Sequence, residues 1–421
     1  MKMRQGTKRL MRDLNVSTIV NLIRHHEPIS RAELAERARL GKSTVTGIVN
    51  GLIRDGFLVE VGNAEAGVGR PPVLLKLNSQ ARYTVGVKLA PAAIITALTD
   101  LHAQVVQRVE QEIHPEAGSA AIIEALVGGI HEVLRRQRVK QAAVIGIGVV
   151  LPGLVDPRTG VSLSSYFLNW RDIPLRAVME KELGLPVFVD NDANAFALAE
   201  HWYGAGQGSI NMLGVTVGIG IGSGIIIGGQ PYRGGSKGAG ELGHVTIDPN
   251  GPRCACGNRG CVEAFAADAA IVRMARDAVR EFPGSVLPGM AGGDLDGLDR
   301  QTVVAAARQG DRAARWALAE AGRYLGIGLA NAVNLLNPDR IVIGGEGVLG
   351  AGDLLLDPIR QGLRERAFSV LADDIRVVPA TLGADAWLMG AATVVLEEVF
   401  KPPLYAAEED EPKVNLVSLL E

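Results

Sequence analysis

Residues 241 to 263 gather the most distinctive side chains of this 421-residue chain. All three cysteines fall there, at Cys254, Cys256 and Cys261, and His244 lies ten residues before the first. One imidazole and three thiolates match the donor set of a closed, tetrahedral zinc site. Such a site leaves no open position for a reacting water, so the expected role is structural. Glu241 and Glu263 flank the ligands, so the metal would staple a loop that presents two carboxylates.

Two further groups sit where α/β sheets place their ligands, at the carboxyl ends of strands. Leu151-Pro152-Gly153 follows the apolar run ending at Val150, and Asp190-Asn191-Asp192-Ala193-Asn194 follows Val187-Phe188-Val189. Asn and Asp side chains there can pair with sugar hydroxyls. An Asp could instead take the proton of a hydroxyl attacking a phosphate, and capping of the next helix is the plain alternative. Thr216 to Gly224 alternates glycine with apolar residues, which suits either a phosphate cradle or a tight hairpin.

These groups need elements to position them. From Tyr83 the pattern predicts strands at Tyr83–Leu89, Ile94–Thr99 and Val105–Gln111, then a helix over 119–138. It continues with a strand at Ala143–Val150, a helix over 174–183, a strand at Val187–Asp190 and a helix from Ala193. A second series starts at Asn211 with two Gly-rich strands and runs through long helices to strands at Arg340–Ile343 and Ile375–Pro379. Two such series predict a duplicated α/β body with parallel sheets. The expected organisation is 1–82, then a first lobe at 83–200 completed by a helix over 384–399, a second lobe at 201–383, and an acidic tail at 400–421.

The first 82 residues read differently. They hold 14 Lys and Arg against 7 Asp and Glu, a balance of +7 within a chain whose net charge is −3. A basic module on an acidic body points to a polyanion partner for the module alone. Val16, Ile19, Val20 and Ile23 repeat at helical spacing, and Ser30-Arg31-Ala32-Glu33 is a capping box that opens a second helix. A third helix turns Val45, Ile48, Val49 and Leu52 inward. It presents Lys42, Ser43, Thr44, Thr46 and Asn50, a face without acids that suits the DNA major groove. Phe57–Val61 and Val73–Leu77 form a hairpin, or wing. Its loop carries Arg70 between Gly69 and Pro71, placed to enter a narrow minor groove. Gly41-Lys42-Ser43-Thr44 is not a phosphate-binding loop, because Glu36 stands where the first glycine belongs and no strand precedes it.

Composition closes other classes. Hydrophobic residues make up 47%, enough for real cores, yet the longest apolar runs are broken, so no membrane span or signal peptide is expected. Three clustered cysteines are no disulfide framework and fit a cytoplasmic protein.

Together these pieces resemble the ROK family of repressors, open reading frames and sugar kinases, from the helix-turn-helix to about residue 398. The resemblance rests on Glu241-Leu242-Gly243-His244, on Cys254-Ala-Cys256-Gly-Asn-Arg-Gly-Cys261-Val-Glu263 and on Asn191-Asp192-Ala193-Asn194. It implies an actin-like, two-lobed body holding a monosaccharide of the glucose or xylose class through Gly153, Asn191, Asp192, Glu241, His244 and Glu263. His244 would use its other nitrogen for zinc, and Asp192 would be the base in kinase members. The kinases carry Asp-x-Gly-Gly-Thr on the first strand, where this chain has Lys88-Leu89-Ala90-Pro91-Ala92, and Ile219 replaces a threonine of the second phosphate loop. The family's repressors carry a similar DNA-binding arm. The implied function is a sugar-responsive repressor acting on operator DNA as a homodimer or tetramer. An ATP-dependent sugar kinase is the alternative, and regulation by a protein partner a third reading. Sugar discrimination is assigned to loops such as Ser164 to Trp170.

Overall fold

The computed structural model describes residues 7–63, 71–402 and 416. The chain divides into two compact units, residues 1–192 with 391–421, and residues 193–390.

The first unit opens with α1 (Lys8–His26), β1 (Ile29–Ser30), α2 (Arg31–Ala38), α3 (Lys42–Arg54), β2 (Leu58–Asn63) and β3 (Val73–Leu77). Thr7 caps α1, its hydroxyl accepting from the Leu10 amide at 3.1 Å. The capping box at α2 is complete: Ser30 Oγ accepts from Glu33 N, and Glu33 Oε2 accepts from Ser30 N at 3.0 Å. Ile19, Val20, Ile23, Leu34, Val45 and Val49 are fully buried, so three short helices share one apolar centre. β1, β3 and β2 pair antiparallel beside them, and the module is a winged helix-turn-helix.

The body of this unit is a five-stranded sheet. Its strands are β4 (Tyr83–Leu89), β5 (Ala93–Thr99), β6 (Val105–Glu112), β7 (Val144–Leu151) and, after the small strands given below, β11 (Val187–Asn191), in the order β11-β7-β4-β5-β6. β7 and β11 run parallel to β4. β7 is buried along its whole length, as its unbroken apolar run requires of a central parallel strand. α4 (Gly118–Gln137) lies on β5 and β6. Among the described helices it is long and apolar enough by composition to cross a membrane. Its stripe of Ile122, Leu126, Ile130 and Val133 is instead buried in the sheet's core, the helical period of an ordinary packed face.

Between β7 and α5 (Leu175–Leu183) the chain forms a three-stranded antiparallel sheet of β8 (Leu154–Asp156), β9 (Val161–Ser165) and β10 (Trp170–Ile173). Ser164 to Trp170, expected as a loop, is ordered differently. It is a hairpin, with Trp170 paired to Ser165 and buried, and Tyr166 exposed at its tip. The strands are too short and too mixed in polarity to show a period of two.

The second unit contains α6 (Asp192–Tyr203, from Ala193 onward) and the sheet β14-β13-β12-β15-β16. These strands are β12 (Met212–Val217), β13 (Ile221–Ile227), β14 (Gln230–Pro231), β15 (Arg340–Gly344) and β16 (Arg376–Pro379). Its helices are α7 (Val262–Ala266), α8 (Asp268–Ala278), α9 (Leu287–Met290), α10 (Arg300–Arg308), α11 (Arg312–Leu336), α12 (Glu346–Ala351), α13 (Asp353–Arg366) and α14 (Ser369–Asp374). α15 (Ala386–Phe400) begins in this unit, and its residues from Ala391 onward belong to the first. Glu200 of α6 is fully buried. Its carboxylate accepts from the amides of Ala205 at 2.8 Å, Thr381 at 3.0 Å and Leu382 at 3.0 Å. Glu200→Ala would leave those donors without partners, so its urea midpoint should fall by the equivalent of about 3 kcal/mol. A loss below about 1 kcal/mol would mean that water substitutes for the carboxylate.

Candidate functional site

The residues expected to form sites fall on three parts of the fold. On the DNA-binding module, Lys42, Ser43, Thr44, Thr46 and Asn50 are all exposed along one side of α3, while Val45, Val49 and Leu52 are buried behind them. Ile48, expected inward, is only half-buried. It shares with Thr44 a depression of about 630 Å³ that is also lined by Lys8, Met11 and Arg12 of α1. The sequence marks Lys8 and Arg12 only by their spacing of four on one helix face. Asn50 is held by Arg31, whose guanidinium lies 3.4 Å from its amide oxygen and 2.9 Å from Glu60. Arg70 lies outside the described residues, as does nearly all of the acidic tail.

In the first unit, Gly153 and Asn191 meet at the carboxyl ends of β7 and β11. Asn191 Nδ2 donates to Gly153 O at 2.9 Å, and Asn191 N donates to Asp190 Oδ1 at 2.8 Å. Gly153 has φ +106°, and a Cβ there would come within 2.3 Å of Ser164 O. Only glycine fits so close to the β9–β10 hairpin in that conformation. Asp192 begins α6 directly after the strand. Buried Arg176 ties the strand's start to the neighbouring turn, donating to Val187 O at 2.8 Å and Pro157 O at 2.6 Å.

In the second unit the donor atoms of His244, Cys254, Cys256 and Cys261 all lie within 4.8 Å of one another. Cys254 Sγ is 3.6 Å from His244 Nδ1, and Cys256 Sγ is 3.8 Å from Cys261 Sγ. Two sulfurs each 2.3 Å from a tetrahedral zinc would stand about 3.8 Å apart, and a sulfur and an imidazole nitrogen about 3.6 Å. The donor set and its edges therefore fit a tetrahedral ion. Burial pushes the Cys254 thiol up to about 12 and raises Cys261 as well, while a backbone hydrogen bond at Asn258 lowers Cys256. A cation is what allows all three to be thiolates together.

Both carboxylates lie beside this cluster. With Nδ1 turned to the cysteines, His244 presents Nε2 on its other side, 3.9 Å from Glu241 Oε2. Cys261 is the N-cap of α7, which carries Glu263. Glu263 Oε2 accepts from Ile221 N at 3.0 Å, and its Oε1 lies 3.7 Å from Cys254 Sγ. Nearby, Gly218 to Gly220 closes the β12–β13 hairpin. The Gly218 amide is spent on Gly220 O at 3.0 Å, and Ile219 is 63% exposed at the tip. On β4, the Lys88-to-Ala92 segment ends in a tight turn, with Ala90 N donating to Ala93 O at 2.8 Å.

A winged helix-turn-helix ahead of an actin-like, sugar-kinase-type α/β body defines the class. The ROK family model matches residues 84–398, and the chain belongs to the ROK family. Over 400 residues it is 34% identical to a putative xylose repressor from Caldicellulosiruptor sp. (strain Rt8B.4), covering 95% of this chain and all of that one. A crystal structure of a ROK family transcriptional regulator, described as a homolog of the E. coli MLC protein, superposes with a TM-score of 0.81. It is 29% identical and covers 98% of this chain and 99% of its own. A ROK family glucokinase from Streptomyces griseus, solved with glucose and AMPPNP, reaches a TM-score of 0.67 at 34% identity. It covers 74% of this chain and 98% of its own.

Proposed function

We propose that this protein is a sugar-responsive transcriptional repressor. The observation that carries the reading is likeness to regulators along the whole chain, whereas the kinase likeness spans only 74% of it. Lys42, Ser43, Thr44, Thr46 and Asn50 read operator bases in the major groove. Arg70 binds the minor groove or a phosphate, and a homodimer or tetramer engages paired half-sites. Gly153, Asn191, Asp192, Glu241, His244 and Glu263 bind a monosaccharide of the xylose or glucose class.

Zinc held by His244, Cys254, Cys256 and Cys261 is structural. It supplies a rigid staple that fixes the imidazole tautomer and the start of α7, while the sugar contacts are made by this chain's own oxygens and by His244 Nε2. Phosphoryl transfer depends on positioned donors and a metal ion at the phosphates. Lys88 to Ala92 replaces an acidic, glycine-rich loop, and Pro91 removes a backbone donor, so the reading includes no kinase turnover. The protein acts in the cytoplasm, on the nucleoid.

The test is fluorescence anisotropy of the full chain on its own promoter DNA, with free and phosphorylated xylose, glucose and N-acetylglucosamine. One sugar is expected to shift operator affinity by about tenfold, a coupling of about 1.4 kcal/mol. Arg70→Ala should weaken operator binding by about 1 to 3 kcal/mol at fixed salt. Operator affinity indifferent to every sugar, together with phosphorylated sugar formed from Mg-ATP, would replace this reading with the kinase.

A further inference from the structure

The DNA-binding module and the first lobe lie in one compact unit, and two groups of side-chain contacts help to join them. At the first, Ser17 Oγ and Asn21 Nδ2 of α1 donate to Phe400 O at 3.3 and 2.8 Å, and the Arg24 guanidinium lies 5.3 Å from the Phe400 ring centre. The second centres on Glu27, the C-cap of α1. Glu27 Oε2 accepts from Leu77 N, at the end of wing strand β3, at 2.7 Å. Glu27 Oε1 stands 2.5 Å from Nε2 of His102, in the turn between β5 and β6. One carboxylate thus ties the end of α1, the wing and the body's sheet together.

The turn that presents His102 is rigidly built. Asp100 Oδ1 accepts from the amides of His102 and Gln104, each at 2.9 Å, and Leu101 N donates to Ser79 O at 2.9 Å. Its place in the sheet is what matters. β5 runs antiparallel to β4, so the β5–β6 turn lies at the amino ends of β4, β7 and β11, while Gly153 and Asn191 lie at their carboxyl ends. Gly153 and Asn191, two of the groups proposed for sugar, and His102, which holds Glu27, lie at opposite strand ends of one sheet, separated by a strand of seven residues, roughly 23 Å.

We propose that the Glu27–His102 pair is a latch that fixes the orientation of the DNA-binding module on the first lobe and through which the sugar's effect reaches the operator-binding face. The second half of this proposal rests on the repressor reading; the first half does not. Histidine is the side chain that titrates near neutrality, which makes the latch sensitive to pH. The Glu27 hydrogen bond raises the pKa of His102 above 6.5. The Glu27 and Asp100 charges act the same way, against burial and the Lys76 charge. A folded pKa above the unfolded one means that the latch contributes fully below pH 6.5 and is lost as pH rises through the raised value.

Two measurements on the full-length chain test this. Limited trypsin digestion at Lys76 and Arg82 reads detachment of the module, whatever its function. His102→Gln should be cut roughly tenfold faster than wild type at pH 6, the loss of one charged hydrogen bond, and the ratio should approach one at high pH. Glu27→Gln should behave alike, and the double mutant should add nothing further. Operator anisotropy with and without xylose then reads coupling. His102→Gln should reduce the sugar-induced change to under about twofold while both ligands still bind. Equal digestion of mutant and wild type across pH, or additive single mutants, would overturn the latch. Faster digestion with wild-type coupling would overturn its role in transmission. A wild type that ignores xylose and every other sugar would refute the repressor reading and the transmission half, and leave the latch to the digestion result.

Discussion

Cys261→Ser is expected to abolish the zinc binding proposed for the second unit and to lower its stability by about 4 kcal/mol, the linkage energy of a ligand present at a thousand times its Kd. Cys261 is fully buried and pairs with Cys256 across 3.8 Å. It also occupies the N-cap position of α7, where Glu263 reaches back to the Ile221 amide. Losing this ligand therefore unpins the helix start, the Glu263 carboxylate proposed to contact sugar, and the turn end of the β12–β13 hairpin at once. Serine keeps the volume but supplies a poor ligand, so the change isolates coordination from packing. Metal analysis of the purified protein and thermal unfolding with and without a chelator give the answer. Wild type should melt lower in chelator, and the mutant should be indifferent to it. A mutant with full zinc content, or a wild type whose melting ignores chelator, would remove the staple from the account, and the link from metal to sugar response would go with it.

Gly148→Ala should be at least as severe, for a reason of pure volume. A Cβ at Gly148 would lie 1.8 Å from Ala391 O and 2.6 Å from its carbonyl carbon. Those are backbone atoms of α15, not the far end of a flexible side chain. β7 is central and buried, so neither partner can withdraw without moving a whole element. Overpacking against backbone belongs to the small class of substitutions that exceed about 4 kcal/mol. Gly146 on the same strand is a natural control, because an added Cβ there meets two side-chain atoms, Val395 Cγ1 at 3.0 Å and Phe188 Cε2 at 3.2 Å, and its one backbone neighbour, Pro186 O, is no closer than 3.2 Å. An overlap of a few tenths of an ångström can be relieved by small shifts, so Gly146→Ala should cost about 1 to 3 kcal/mol. Denaturant midpoints of the two variants decide. Equal midpoints would refute the claim that β7 and α15 touch through backbone. The contact bears on function because the same helix ends at Phe400, whose carbonyl receives Ser17 and Asn21 of the DNA-binding module.

Much of this protein was legible from one dimension. The zinc-type cluster could be read because all four ligands lie within eighteen residues, from His244 to Cys261, where the chain itself enforces proximity. The helix-turn-helix could be read because its capping box and apolar spacing are local rules, each satisfied by residues three or four apart. Strands β4, β7, β11 and β15 announced themselves as apolar runs because both faces of a parallel sheet are covered. Gly153 and Asn191 could be placed at strand ends, but not joined to each other, since the hydrogen bond between them spans 38 positions.

Tertiary structure decided the rest. The β8–β9–β10 sheet escaped because its strands hold three to five residues of mixed polarity, too few to carry a period. Glu200 reads in sequence as an ordinary helical charge, and only folding brings Thr381 and Leu382 to it across more than 180 residues. Glu27 and His102, separated by 75 positions, bear no motif at all. Local sequence fixes what a residue can do within a turn or two of its own backbone. Which distant partner meets it depends on how complete elements pack, and that is settled only when the whole sheet and its helices close on a common core.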